Sequence, residues 1–188
     1  MRVLLLAPPG AGKGTQGARL AEHYDITHIS SGDLLRQHIQ AGDELGTRVR
    51  SYLAAGDLVP EEVISELLLP PVQEAAARGG FVLDGFPRTL DQAKLAFLQA
   101  QSTHTEFEAV LFLDVPDDVL VKRLLARGRG ADDTETTIRH RLEVYHAETE
   151  PLVEFYDGRG LLHRVNGDQP MEDVTAACIA VLDATAER

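Results

Sequence analysis

The sequence predicts a three-layer α/β fold, in which helices cover both faces of a five-stranded parallel sheet. Short apolar runs, typical of buried strands, alternate along the chain with helical patterns. The first run leads directly into a glycine-rich turn and then a helix. At 188 residues, the chain is long enough for one domain with a substantial core. The candidate strands are residues 3–7, 26–29, 81–83, 110–113 and 161–165.

The glycine-rich turn has the sequence PPGAGKGT (8–15), in which Lys13 is the single long side chain. Glycines allow backbone N–H groups to point toward an anion, and the N-terminus of the predicted helix 16–24 adds positive potential. Lys13 can then reach the outer phosphates of a nucleoside triphosphate. The general motif G-x-x-x-x-G-K-[ST] is not matched literally, because position 7 is Ala and Thr15 comes one place late. The flanking strand and helix favour a phosphate loop (P-loop) over an ordinary glycine-rich turn.

The net charge of −12 argues against a nucleic-acid surface, because phosphate backbones are bound through basic patches. The basic residues are mostly arginine, 15 against 3 lysines, and the arginine fork matches phosphate oxygens in pairs. Cys178 is the single cysteine, which excludes an intramolecular disulfide and a cysteine-based zinc site. The N-terminus does not read as a signal peptide, and no apolar stretch approaches roughly 18–20 residues. We therefore expect a cytoplasmic protein that does not enter a membrane.

Polar residues follow the predicted strands, and parallel sheets bind ligands at the carboxyl ends of their strands. The second strand is followed by SSGDLLR (30–36), which by itself needs no role beyond a helix N-cap at Ser30 or Ser31. The third is followed by DGFPRT (84–89), in which Asp84 could hold Mg²⁺ through water. The alternative for Asp84 is a turn or capping residue. Arg88 would face the same crevice, with Gln92 one helical turn later.

Five arginines fall between residues 123 and 141, around a loop at 128–133. Arg123 and Arg127 lie four residues apart on a helix that starts at Pro116, so they share one edge. From Thr134 the pattern is helical again. Isolated arginines on helices usually face solvent, but this density in an acidic chain indicates a mobile cover that carries charge to a polyphosphate. The predicted buried face of the second helix is Ile138, Leu142, Tyr145 and Leu152.

The remaining helices are predicted at 45–55, from Pro60 onward, and at 171–184. Pro70-Pro71 and Gly79-Gly80 are expected to interrupt the helical stretch after Pro60. Cys178 lies at a core position of the last helix and is interpreted as a small buried hydrophobe. The seven histidines show no spacing typical of metal ligands, and no role is assigned to them.

Taken together, these motifs resemble those of the adenylate kinases along the whole chain. The resemblance implies a single P-loop domain, 1–188, with an inserted AMP-binding segment, 30–59, and a short lid over ATP, 128–137. It also implies a monomer that uses Mg²⁺ and no zinc. The motifs that carry it are PGAGKGTQ (9–16), ISSGDLLR (29–36), GDLVP (56–60), DGFPRT (84–89), DVP (114–116), Arg123, Arg127, Asp132-Asp133 and RLEVYH (141–146).

The resemblance further implies roles for individual residues. The residues implied for ATP are Gly10, Ala11, Gly12, Lys13, Gly14, Thr15, Arg123, Arg127 and the backbone near Gln169. Those implied for AMP are Ser31, Arg36, Asp57, Leu58, Val59, Gly85, Phe86, Pro87, Arg88, Gln92, Arg129 and Arg141, with Gln92 reading the adenine. The expected catalytic set is Lys13, Arg88, Arg127, Arg129 and Arg141, and Asp84 is the expected metal residue.

The activity implied is reversible, Mg²⁺-dependent transfer of the terminal phosphoryl group of ATP to AMP, which gives two ADP. A UMP/CMP kinase on the same scaffold is one alternative, although Gln92 favours AMP. A nucleotide-dependent switch is another, and the absence of an N-K-x-D motif argues against it. Two departures from the family pattern affect the site: Ala7 replaces the first glycine of the loop, and Gly130 shifts Arg129 relative to the lid arginine.

Overall fold

Five parallel strands form the central sheet of the computed structural model, which describes residues 1–128 and 133–187. Their order is β2-β3-β1-β4-β5, so the first strand lies in the middle of the sheet. This confirms the predicted α/β fold with a parallel sheet. The strands are β1 Arg2–Leu6, β2 Thr27–Ser30, β3 Phe81–Asp84, β4 Ala109–Asp114 and β5 Leu162–Asn166.

Helices connect the strands and cover the sheet. A π-helical turn, Tyr145–Thr149, separates the seventh and eighth helices. The α-helices within the described ranges are α1 Lys13–Tyr24, α2 Ser31–Ala41, α3 Glu44–Ala55, α4 Glu61–Ala77, α5 Leu90–Thr103, α6 Asp117–Arg127, α7 Glu135–Val144, α8 Pro151–Asp157 and α9 Met171–Ala186.

The three layers follow from the alternation of side chains along the buried strands. In β1, Val3 and Leu5 point to the face covered by α1, α6, α7 and α9. Leu4 and Leu6 point to the opposite face, which is covered by α5 and α8. The helices α2, α3 and α4 form a third cluster around β2 and β3, in which Leu83 is buried. Strands β1, β3 and β4 are therefore apolar on both faces with polar residues at their ends, whereas β2 and β5 carry polar residues along their length.

One expectation about the helices was wrong. Pro70 and Pro71 do not interrupt a helix but lie inside α4. A proline in a helix interior removes a backbone hydrogen bond, but Leu68 and Ala75 are buried on either side and hold the helix against the core. The helical pattern after Thr134 and its predicted buried face are confirmed, and a π-helical turn divides this stretch into α7 and α8.

The carboxyl ends of β1, β2, β3 and β4 bring several loops to one edge of the sheet. The glycine-rich loop follows β1, and the loop from Asp84 to Thr89 follows the neighbouring strand β3. No helix in residues 1–128 and 133–187 is long and apolar enough to cross a membrane. Cys178 is buried in α9, as predicted.

Leu182 in α9 is 1% exposed, whereas Leu98 in α5 is 61% exposed. We expect Leu182→Ala to lower the free energy of unfolding by about 2–5 kcal/mol, because it removes buried methyl groups and leaves a cavity. Leu98→Ala should change it by less than about 0.5 kcal/mol. Urea unfolding of both variants measures the difference, and equal losses would contradict the assigned core.

Candidate active site

A cleft of about 610 Å³ opens at the carboxyl ends of the strands, beside the glycine-rich loop. Its volume lies in the range of small-molecule sites. A narrower cavity of about 70 Å³ adjoins it and shares several of its lining residues. Arg36, Arg88 and Arg141 line both. Lys13, Asp84, Arg123 and Arg127 line the cleft alone.

The glycine-rich loop is built around two glycines in left-handed backbone conformations, Gly10 at φ 87° and Gly12 at φ 96°. A Cβ atom on Gly10 would lie 2.8 Å from Leu124 Cγ, so no larger residue fits there. Ala11, between these two glycines, is buried. Gly12 immediately precedes α1, whose first residue is Lys13, one turn earlier than predicted. The loop therefore places the N-terminus of α1, with Gly14 and Thr15, at the cleft.

Lys13 folds back over the loop. Its Nζ atom donates hydrogen bonds to the carbonyl oxygens of Ala7, at 2.7 Å, and Pro8, at 3.0 Å. Burial lowers the pKa of the Lys13 ammonium from 10.5 to about 7. Asp84 opposes this shift of the pKa, while Arg88, Arg141 and Arg127 reinforce it by repulsion. The pKa of Lys13 is thus lowered mainly by burial, and an anion bound beside Lys13 would favour its charged form.

Asp84 is 6% exposed and is held by two side chains of β2. Its Oδ2 lies 2.8 Å from His28 Nε2, and its Oδ1 accepts a hydrogen bond from Ser30 Oγ at 3.2 Å. His28 and Ser30 are two residues apart on β2, so they point to the same face. Ser30 pairs directly with Asp84 in the β2–β3 register. The ring of His28 packs on Gly17, where a Cβ atom would lie 2.3 Å from Nε2.

His28 is a site residue that sequence reasoning missed. No sequence signal identified it, because its contact with Asp84 depends on the pairing of β2 with β3. The arrangement also suits a hydrated magnesium ion near Asp84. Each carboxylate oxygen has a second lone pair beyond the contacts to His28 and Ser30, and can accept a hydrogen bond from coordinated water. The described residues contain no cluster of three or more His, Cys, Asp or Glu that could hold a metal directly.

Arg88 is anchored at three points. Its backbone N–H donates to Gln92 Oε1 at 2.8 Å, and its side-chain Nε donates to the Gly85 carbonyl at 2.7 Å. Its own carbonyl accepts a hydrogen bond from Thr149 Oγ1 at 2.7 Å. Burial lowers the pKa of the Arg88 guanidinium, Asp84 opposes this, and Arg36 adds to it. The helix after this loop begins at Leu90 and is capped by Thr89.

The narrow cavity is lined by most of the residues that the resemblance implies for AMP. Ser31 is 1% exposed, and its Oγ has no hydrogen-bond partner among the described residues. A buried hydroxyl without a partner is unusual and points toward a ligand. A Cβ atom on Gly85, at φ 81°, would lie 2.3 Å from this Oγ. Also lining the cavity are Asp57, Leu58, Val59, Phe86 and Gln92, while Pro87, joined to Phe86 by a cis peptide bond, lines the main cleft.

Arg127 and Arg141 converge on the buried carboxylate of Asp133. Arg127 makes a two-point contact, with Nε 2.9 Å from Oδ2 and Nη2 2.6 Å from Oδ1. Arg141 Nη1 lies 3.5 Å from Oδ1. Asp133 therefore holds one arginine of α6 and one of α7 side by side at the cleft. No individual role was predicted for this aspartate from the sequence.

Arg123, Gln169 and Arg129 are the remaining residues with predicted roles. Arg123 donates to the Gly167 carbonyl at 3.1 Å and pairs with Asp168, which ties α6 to the loop before α9. Gln169 is exposed in that loop, and its side chain does not line the cleft or the narrow cavity. Arg129 lies outside the described residues, together with residues 130–132 of the predicted lid, 128–137.

This geometry defines a class of protein. A central parallel strand, a glycine-rich loop and a helix N-terminus form a P-loop, and cations from four further segments face it across one cleft. Such an arrangement is that of a P-loop phosphotransferase with room for more than one phosphate group.

Comparison with known proteins is consistent with this class. The model of the adenylate kinase family matches residues 5–161. Adenylate kinase 1 of Nostoc sp. is 48% identical over 183 residues, which cover 96% of this chain and 98% of that protein. The adenylate kinase of Corynebacterium urealyticum is 46% identical, with coverage of 97% and 99%. That of Mycobacteroides abscessus is 48% identical, with coverage of 94% and 96%. The chain belongs to the adenylate kinase family, and is thus a nucleoside monophosphate kinase.

The lowered pKa of Lys13 predicts proton uptake when ATP binds. At pH 8 and without ATP, the Lys13 side chain, whose pKa is about 7, is mostly neutral. Phosphates bound beside Lys13 would favour its charged form and raise this pKa, so ATP binding should take up a proton and weaken as the pH rises above about 7. Calorimetry at pH 8 in buffers of different ionisation enthalpy measures the uptake. Lys13→Met should abolish it, and equal uptake by both proteins would contradict the prediction.

Proposed function

We propose that the adenylate kinase reaction of this chain, transfer of the terminal phosphoryl group of ATP to AMP, takes place in the cleft described above. ATP would place its phosphates on the P-loop, and AMP would occupy the narrow cavity. The observation that carries this proposal is the convergence of Lys13, Arg88, Arg127 and Arg141 on one cleft that opens into a second cavity. A protein that bound a single nucleotide would not need cations on both sides of the P-loop.

For ATP, the loop from Gly10 to Thr15 offers backbone N–H groups and the N-terminus of α1. Arg123 and Arg127 lie on one edge of α6 and line the same cleft. Arg123 also fixes the loop that contains Gln169, whose backbone we assign to the adenine. The donor nucleotide would then run from this loop across the P-loop toward Arg88.

For AMP, the Ser31 hydroxyl, which has no hydrogen-bond partner among the described residues, and the Arg88 guanidinium would provide donors to the nucleotide. Gln92 lines the cavity with its Oε1 held by the Arg88 N–H, which orients its amide group for an adenine edge. Arg36, the backbone from Asp57 to Val59 and the segment from Gly85 to Pro87 complete the pocket. Arg36 lies at its mouth, where it pairs with Asp33.

Catalysis would come from alignment and from stabilisation of charge. The acceptor is a phosphate oxygen that is already ionised, so no strong general base is needed. Lys13, Arg88, Arg127 and Arg141 offset the repulsion between two polyanions and stabilise the charge on the transferring group. We assign Arg129 the same role from the lid. Bound Mg²⁺ supplies further charge neutralisation on the ATP phosphates, and Asp84 is the residue that would hold its water.

We further infer that residues 30–59 and 128–137 move over the bound nucleotides and exclude water, which would suppress hydrolysis of ATP. The first segment consists largely of α2 and α3, which pack with α4 around β2 and β3. We also infer a cytoplasmic monomer that uses ATP, AMP and ADP. The acidic overall charge supports the absence of a nucleic-acid partner.

Removal of a proposed catalytic cation should reduce turnover without unfolding the protein. We expect Lys13→Ala and Arg88→Ala each to lower kcat by about 10²-fold or more, the size found when one transition-state donor is lost. Conversion of ADP alone into ATP and AMP is the assay. Arg78→Ala is the matched control, because Arg78 is 73% exposed and pairs only with Glu74 among the described ion pairs. Near-normal turnover in either variant would remove that residue from the catalytic set.

The proposed role of Asp84 predicts a changed magnesium requirement. Asp84→Asn keeps the shape of the side chain but removes its charge, so the Mg²⁺ concentration for half-maximal activity should rise about tenfold or more. EDTA should abolish activity in the parent protein, and added Mg²⁺ should restore it. Asp118→Asn is the control, since Asp118 is exposed and pairs with Lys122. An unchanged Mg²⁺ dependence in Asp84→Asn would exclude the assignment.

A further inference from the structure

The π-helical turn between α7 and α8 brings Thr149 to the candidate active site. The turn is closed by the Glu150 N–H, which donates to the Tyr145 carbonyl five residues earlier at 2.9 Å. Such wide turns are rare and are frequently found at functional sites. Thr149 ends this turn, is 6% exposed and lines the cleft. Its hydroxyl donates a hydrogen bond of 2.7 Å to the carbonyl oxygen of Arg88, 61 residues away in the chain.

This contact differs from those of several other helical threonines. Thr47, Thr103 and Thr185 each donate to a carbonyl four residues earlier in the chain. A hydrogen bond to this carbonyl is the usual one for the hydroxyl of a threonine in a helix. Thr149 instead reaches out of its turn to the loop that carries Arg88. The π-helical turn therefore directs a buried hydroxyl toward the active site.

We propose that Thr149 is a positioning residue for Arg88. The other two anchors of Arg88, Gly85 and Gln92, belong to its own loop and to the helix that follows it. Thr149 is the anchor that comes from a different segment, the one that continues α7 and so follows Arg141 in the chain. Its hydrogen bond fixes the Arg88 backbone relative to α7, and thereby sets where the guanidinium group stands in the cleft beside Arg141.

This inference rests on the proposed role of Arg88 in the reaction. The test compares Thr149→Val, which removes the hydroxyl but keeps the shape, with Thr149→Ser, which keeps the hydroxyl. In Thr149→Val we expect kcat divided by KM for AMP to fall about tenfold, because a buried carbonyl loses its donor. KM for ATP should stay within about twofold, and Thr149→Ser should stay close to the parent. Calorimetry should show weaker binding of AMP and unchanged binding of ATP.

If Thr149 had a purely structural role, Thr149→Val would lower the stability of the protein without weakening the use of AMP more than that of ATP. Thr185→Val is the matched control, since Thr185 makes its hydrogen bond within α9, remote from the cleft. Thermal unfolding of each variant reports stability separately from kinetics. If Thr149→Val does not fold, Thr149→Ala removes the same donor from a smaller side chain. Parent-like kinetics in a folded variant without the hydroxyl would overturn the proposal.

A double-mutant cycle shows whether Thr149 acts through Arg88. In the Arg88→Ala background, Thr149→Val should change the kinetics by less than about twofold. An equal loss in both backgrounds would mean that Thr149 acts elsewhere, and would overturn the positioning role while leaving that of Arg88 intact. Parent-like activity of Arg88→Ala itself would instead refute the proposed role of Arg88, and this inference with it.

Discussion

Electrostatic repulsion among the cations at the cleft is the constraint on which the rest of the site depends. Lys13, Arg88, Arg127 and Arg141 face one space, and repulsion from the three arginines contributes to the depressed pKa of Lys13. Two buried carboxylates offset this cost. Asp84 stands beside Lys13, and Asp133 holds Arg127 and Arg141 together. Two carboxylates offset only part of the charge of four cationic side chains, so the cleft keeps an attraction for phosphate. Bound phosphates would therefore relieve repulsion as well as form new contacts.

The topology of the sheet explains how these charges reach one place. Because β1 lies between β3 and β4, the P-loop that follows it stands between two other strand ends. On one side β3 delivers Asp84 and the loop of Arg88. On the other side β4 leads into α6, which carries Arg127. Residues that are more than a hundred positions apart in the chain thus become neighbours at one edge of the sheet. If β1 lay at an edge of the sheet, the P-loop would have cationic neighbours on one side only.

The limits of sequence reasoning follow from the same geometry. Apolar runs identify the strands, and a parallel sheet collects whatever follows each strand, so the sequence alone groups Lys13, Asp84 and Arg88. Contacts that depend on register or on turn geometry could not be predicted. His28 meets Asp84 only because of the β2–β3 pairing, and Thr149 reaches Arg88 only through a π-helical turn. The two prolines within α4 could not be predicted to lie in a helix either. Proline disfavours a helix interior, and here the tertiary packing of α4 outweighs that local preference.

The arrangement of Arg88 and Arg141 bears on how binding energy would be used. Both line the main cleft and the narrow cavity, so the two proposed nucleotide sites share the same positive charge. Gly56, at the wall of the narrow cavity, packs on the Arg141 stem so closely that a Cβ atom would lie 2.7 Å from Cγ. Asp57 beside it accepts a contact of 2.7 Å from His140 on α7, which holds that wall in place. In the proposed reaction, a phosphoryl group that lies between the two sites would contact these arginines from both sides, so their attraction would be greatest for the transferring group rather than for either substrate. This is the condition under which binding energy accelerates a reaction instead of merely tightening a complex.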